Sequence, residues 1–137
     1  MEKTTKSILD LVKEIPNAAS EQGWVFTLDK DEGALFYGPK IAPKDTELFQ
    51  VSDEYAVYLD KKLHPRGVVI EYYANNFVQH HQEFKKLNQE FFSSSKDSIV
   101  LEPKKTGDSA IFKSLLEKTL ISDAVLSPVR DEVIATK

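Results

Sequence analysis

Two adjacent histidines are the residues of this sequence best suited to chemistry. His80 and His81 are followed by Glu83 in a segment whose apolar residues have helical spacing. Imidazole side chains titrate near neutral pH and bind zinc, iron or nickel, so the cluster could hold a metal ion or move a proton. Adjacent side chains point about 100° apart on a continuous helix, however, and cannot hold one ion as an i, i+4 pair does. His80 also falls on the apolar stripe, where a packed imidazole is the favoured interpretation.

A single carboxylate, Glu71, lies within the most strand-like run of the chain, residues 67–73. It could serve as a general acid or base if a pocket formed around it. Strand alternation instead predicts one face directed to the core (Val68, Ile70, Tyr72) and one directed outward (Val69, Glu71, Tyr73). A solvated Glu71 is therefore favoured, and a ligand site built from His80, His81 and Glu71 is kept as the alternative hypothesis.

The remaining motifs exclude several classes of function. The chain has no cysteine, which removes disulfides, thiolate metal sites and cysteine nucleophiles. The acidic stretch Asp29 to Glu32 lacks the distal glutamate of a calcium loop, and Lys104-Lys105-Thr106 lacks a preceding glycine-rich loop. With 18 basic and 22 acidic side chains, the net charge of -4 disfavours a nucleic-acid partner. We therefore expect neither a cofactor nor a bound metal.

The elements that position these residues follow from apolar periodicity. An N-terminal helix is predicted from the i, i+3, i+4, i+7 spacing of four residues (Ile8, Leu11, Val12, Ile15). About five strands follow (24–28, 34–37, 48–51, 55–59, 67–73), with connections too short for parallel crossovers. A second helix is predicted to lie across the sheet from another apolar stripe (Phe77, Phe84, Leu87, Phe91). The fold class is α+β, with an antiparallel β-meander at its centre.

The last third of the sequence reads as a separate segment. Residues 1–95 are expected to form the α+β domain, 96–107 a linker and 108–137 a C-terminal helical segment. Its first helix, from Asp108 to about Leu120, has a broad apolar face, and Ser127-Pro128 predicts a short final helix. Such a face must dock on the domain or on another chain.

The segment 27–73 resembles the bacterial β-meander family DUF2283. The resemblance is carried by the acidic turn and aromatic strand from Leu28 to Tyr37, and by the run from Leu59-Asp60 to Arg66-Gly67-Val68-Val69-Ile70-Glu71. The sequence departs from that family in the longer 40–47 loop and outside the meander. The resemblance implies a hairpin-rich sheet and an antitoxin-like setting, with no catalytic residues to carry over.

The absence of a catalytic motif favours a non-enzymatic protein that binds a protein partner, as an antitoxin, immunity protein or small assembly subunit would. The expected contact residues lie on the sheet and the C-terminal helix (Tyr58, Tyr73, Ile111, Phe112, Leu115, Leu116). Homo-oligomerisation through the same surfaces is a close variant. The N-terminal segment reads neither as a signal peptide nor as a membrane span, so a cytoplasmic protein is expected.

Overall fold

Residues 3–136 are described by the structure, a computed structural model in which helices pack on an antiparallel sheet. The α+β fold class is confirmed. Short π-helical and 3-10 segments occur at Tyr73–Phe77 and Gln82–Phe84. The other elements, in chain order, are β1 (Lys3–Ser7), α1 (Ile8–Lys13), α2 (Ile15–Gln22), β2 (Val25–Asp29), β3 (Ala34–Gly38), β4 (Glu47–Gln50), β5 (Ala56–Leu59), β6 (Pro65–Ile70), α3 (Val78–His80), α4 (Lys85–Phe92), β7 (Ser98–Leu101), α5 (Asp108–Leu126) and β8 (Glu132–Thr136).

The main sheet has six strands in the order β4-β5-β6-β3-β2-β7. The five predicted strands are all present, but they do not form a simple meander, because β4 lies at an edge and β6 pairs with β3. The loop between β3 and β4 therefore crosses to the far edge of the sheet. The run Val68-Val69-Ile70 occupies a central strand, the position for which consecutive β-branched residues are best suited.

The expected linker at 96–107 contains β7, which corrects that assignment. β7 pairs with β2 in antiparallel register, with Val100 opposite Thr27. Ile99 and Leu101 pack against the core, while Val100 faces solvent. Alternating burial of this kind is typical of an edge strand with one face on the core. The serine-rich sequence just before β7 is typical of a linker, which is why this strand was not predicted.

Helix α5 is the element that closes the core. Its buried side chains Phe112, Leu116 and Leu120 belong to the same apolar cluster as the inward residues of the sheet. The ring of Phe112 lies 4.9 Å from that of Phe26 on β2, in an edge-to-face arrangement. The C-terminal helix is therefore docked on its own domain.

The predicted final helix after Ser127 is wrong, since the chain there is extended. Val129 donates its N–H to the carbonyl of Val51, and β8 pairs with β1 as a separate two-stranded antiparallel ribbon. The partner strand is more than a hundred residues away in sequence, so local signals cannot reveal it. The β-branched residues of this segment suit the extended conformation.

The segment 73–92 is a broken helix and not the continuous one predicted. Its apolar residues Phe77 and Phe84 are fully buried, as the stripe predicted. The backbone of His81 leaves the helical region, with φ -131° and ψ 76°, so α3 ends at His80 and a 3-10 turn precedes α4. Within 3–136, no helix is long and apolar enough to span a membrane.

Two adjacent residues of α5 test whether this helix contributes to the core. Phe112 is fully buried, whereas Ile111 is 56% exposed. We expect Phe112→Ala to lower the free energy of unfolding by about 3–5 kcal/mol, because it leaves a cavity among aromatic rings. Ile111→Ala should change it by less than about 0.5 kcal/mol. Urea denaturation measures both, and equal small effects would contradict docking of α5 within one chain.

Candidate functional site

The residues predicted to contact a partner are divided between core and surface. Phe112 and Leu116 are fully buried, Leu115 is half-buried, and Ile111 is exposed. The apolar face of α5 is therefore used within the chain, and these buried residues are not available to a partner.

The two tyrosines that follow β6 are reversed relative to prediction. Tyr73 is fully buried, and Tyr72, predicted to face the core, is 64% exposed. The strand ends at Ile70, and Tyr72 adopts a left-handed backbone conformation with φ 52°. This turn breaks the strand alternation just before both side chains, which is why the period-two pattern failed there.

The break at His81 brings the two histidines to the same carboxylate. His81 Nε2 is hydrogen-bonded to Glu54, at 3.0 and 3.1 Å from its two oxygens, while His80 Nδ1 lies 3.9 Å from Glu54 Oε1. The 100° separation expected on a continuous helix does not apply, because His81 is not helical. His81 is the packed imidazole, tilted against Phe77 at 4.5 Å between ring centroids. His80, predicted to be packed, is exposed.

A second carboxylate, Asp123, completes the cluster from α5. Its Oδ1 lies 3.5 Å from His81 Nε2, and its residue is only 8% exposed. One donor atom from each of Glu54, His81 and Asp123 lies within 4.8 Å of the other two. The second oxygen of Asp123 is buried without a hydrogen-bond partner. We call these three residues the Glu54-His81-Asp123 cluster.

Local structure fixes each member of the cluster. Glu54 sits in the tight turn between β4 and β5, where its N–H donates to Ser52 Oγ. Asp123 lies in the last turn of α5, and that helix is held to the residue just before β5 by the Tyr55 hydroxyl, which donates to the Leu120 carbonyl at 2.6 Å. Burial, together with the negative charge of Asp123, raises the pKa of the Tyr55 hydroxyl well above its usual range.

Burial, together with the neighbouring charge of Glu54, raises the pKa of Asp123 to about 6. The interaction with His81 acts in the opposite direction and only partly offsets these effects. Folding therefore disfavours the ionised form of this carboxyl relative to the unfolded chain.

Glu71 does not join the histidines. No hydrogen bond or salt bridge connects it to His80 or His81 in the part of the chain that the structure describes. Its exposed side chain lines a small cavity of about 90 Å³ that Glu54 also borders, and a larger groove that shares Val69 and Tyr72 with that cavity. The predicted His80, His81 and Glu71 site is therefore rearranged, with Glu54 in place of Glu71.

The larger groove lies on the sheet face opposite the core, with a volume of about 540 Å³. Its floor is centred on Phe36, whose ring packs edge-to-face against Tyr58 at 5.9 Å. The ring lies over Gly38 and Gly67, where an added Cβ would come within 2.5 and 3.0 Å of it. These two glycines let the ring lie close to the strands and keep the floor of the groove shallow. We call this surface the aromatic groove.

The rim of the aromatic groove is acidic. Asp29, Glu32 and Glu71 line it, and none of the three forms a salt bridge with the side chains of residues 5–134. The one lysine of its lining, Lys40, is paired with Glu102 at 2.5 Å. The groove thus combines an apolar floor with negative charge that is not balanced locally.

Comparison with known proteins returned no match: no family model, curated protein or solved structure is similar to this chain. The resemblance to DUF2283 consequently stays a prediction.

Glu54 and Asp123 are the cluster residues that sequence reasoning missed. One signal was readable: Asp123 continues the buried stripe of α5 at helical spacing from Phe112, Leu116 and Leu120. A carboxylate on an apolar stripe needs a partner. For Glu54, which follows two other polar residues in a turn, no comparable signal exists.

The raised pKa of Asp123 predicts a pH-dependent effect of Asp123→Asn. Below the unfolded-state pKa the carboxyl is neutral in both states, so the asparagine variant and the wild type should be similarly stable. As pH rises through about 6, the wild type loses the stability linked to the neutral carboxyl, and the variant does not. At about pH 8 we expect the variant to be more stable by about 1–3 kcal/mol.

Urea denaturation with a chelator present, at several pH values, measures this difference. Asp60→Asn, at the exposed His64 pair, is the matched control and should show no such trend. If the wild type were more stable than Asp123→Asn at about pH 8, folding would not disfavour ionisation of Asp123, and the prediction would be wrong.

Proposed function

We propose that the protein binds a protein partner through the aromatic groove and has no catalytic role in that interaction. The single observation that supports this function most strongly is a half-exposed aromatic floor beside carboxylates that form no salt bridge in the described part of the chain. Tyrosine and phenylalanine are enriched at the centres of interfaces, and unbalanced charge at the rim sets partner choice.

The partner we propose is a protein segment that presents an apolar side chain flanked by lysine or arginine. The apolar side chain would contact Phe36 and Tyr58, and the cations would approach Asp29, Glu32 and Glu71. A second copy of this chain fits less well, since two acidic rims would face each other. The net charge of -4 supports the same choice of a basic partner.

The adjoining surface extends the proposed contact. Tyr72 lines the groove and is largely exposed, and Leu48, opposite Tyr58 on the edge strand β4, is about half exposed. Val100 continues the same sheet face at the opposite edge. An antitoxin, an immunity protein or a small assembly subunit would use such a surface, and these settings remain part of the proposal.

A photo-reactive amino acid at position 72 tests the proposal in the native host. Because Tyr72 borders the groove, we expect irradiation to give one defined adduct, with a partner peptide that carries apolar and basic residues. The same amino acid at position 111, which is comparably exposed on α5, is the control and should not give that adduct. Mass spectrometry identifies the products.

Two results would overturn the proposal. Identical adducts from positions 72 and 111 would show that contact at the groove is not selective. Adducts only to a second copy of the chain would show that the groove serves self-association and not the binding of a different protein. With the partner peptide in hand, Tyr58→Ala should weaken its binding by about tenfold or more. Calorimetric titration measures this loss, and unchanged affinity would exclude the groove floor as the contact.

A further inference from the structure

Three elements on the core side of the sheet bring together the donor atoms of a metal site. The turn before β5 supplies Glu54, the break between α3 and α4 supplies His81, and the last turn of α5 supplies Asp123. They meet from positions 27 and 42 residues apart along the chain. The site is separate from the aromatic groove and does not depend on the proposed partner.

The separations of the donor atoms suit one small divalent ion. Metal bonds of about 2.0–2.2 Å to nitrogen and carboxylate oxygen place neighbouring ligand atoms roughly 3 Å apart in tetrahedral or octahedral geometry. Here Nε2 of His81 lies 3.0 Å from Glu54 Oε1 and 3.5 Å from Asp123 Oδ1. All three donor atoms lie within 4.8 Å of one another. Small side-chain rotations would therefore bring the remaining separation, between the carboxylate oxygens of Glu54 and Asp123, to the distance that one metal ion requires.

A buried carboxylate oxygen without a hydrogen-bond partner indicates that the cluster can bind a cation. Asp123 is buried, and its Oδ2 has no hydrogen-bond partner in the described part of the chain. Unpartnered buried carboxylate oxygens are costly, and a metal ion would satisfy both the oxygen and the charge. Asp123 also lies at the C-terminal end of α5, where the helix dipole favours positive charge.

Charged side chains around the cluster are predominantly acidic. Glu83 lies 3.9 Å from Nδ1 of His81. Among the described residues, the only basic side chains that form ion pairs with the carboxylates of the cluster are His80 and His81. No lysine or arginine in that range of the chain forms a salt bridge with Glu54 or Asp123. The carboxylate next to Nδ1 can orient a metal-bound imidazole, as acidic groups commonly do.

We propose that Glu54, His81 and Asp123 bind one divalent first-row transition-metal ion, with water completing its coordination. One imidazole and two carboxylates make a donor set that zinc, manganese and iron accept, and the imidazole disfavours magnesium and calcium. The ion joins the β4-β5 turn, the broken helix and α5, so its binding stabilises their relative positions.

Isothermal titration calorimetry of the full chain, freed of metal with a chelator, tests the site with zinc chloride and manganese chloride. We expect one ion per chain, with no comparable binding of magnesium. His81→Gln, Glu54→Gln and Asp123→Asn should each weaken binding by about tenfold or more. His64→Gln is the matched control, because His64 forms the exposed pair with Asp60 and should bind as the wild type does.

Cobalt(II) absorption gives a second readout that depends on the coordinating groups. The wild type and His64→Gln should produce the same visible spectrum, and His81→Gln should lose it while retaining the far-ultraviolet circular dichroism of the fold. Absence of stoichiometric binding by the wild type would overturn the proposal. Binding that survives in Asp123→Asn and Glu54→Gln but fails in His64→Gln would assign the ion to the surface pair instead.

Discussion

The packing of one phenylalanine of α5 under the sheet holds the two layers together. The Phe112 ring contacts four others, at centroid distances of 4.9 to 6.0 Å, and these rings come from β2, the 3-10 turn and α4. Each edge-to-face contact adds to the large apolar area that a buried ring removes from water. Because α5 is rigid along its length, this packing also sets the position of Asp123, three turns further along the helix. The geometry of the Glu54-His81-Asp123 cluster therefore depends on a contact made elsewhere in the core.

The sequence predicted the elements better than their arrangement. The first helix, the five strands and the apolar stripes of the later helices follow local periods of 3.6 and 2, which the backbone imposes wherever one face is buried. Strand order depends on long-range pairing, as between β3 and β6, and leaves no local pattern. The final strand shows this most clearly, because β1 supplies its partner and the local serine-proline signal indicated a helix.

The candidate sites were predictable to different degrees. His81 was singled out by its chemistry, but its partner was not, since Glu54 reaches it only after the helix breaks. Tyr58, predicted as a contact residue, lines the aromatic groove, whereas Tyr73 was predicted to face outward and is buried because of the left-handed backbone at Tyr72. Side chains within an uninterrupted element follow from alternation. Those beside a break depend on backbone angles that residue types alone do not fix.

The β1-β8 ribbon has a consequence for the order of assembly. Its contacts join residues about as far apart in sequence as the described chain allows, with Thr5 opposite Ile134. The entropy lost on closing so long a loop is recovered only once the intervening core has already shortened the path between the two strands. The ribbon is therefore expected to form late and to be among the first parts to open. Opening of the ribbon would expose Val133, the residue of β8 that is buried in the core, while the aromatic packing around Phe112 stays in place.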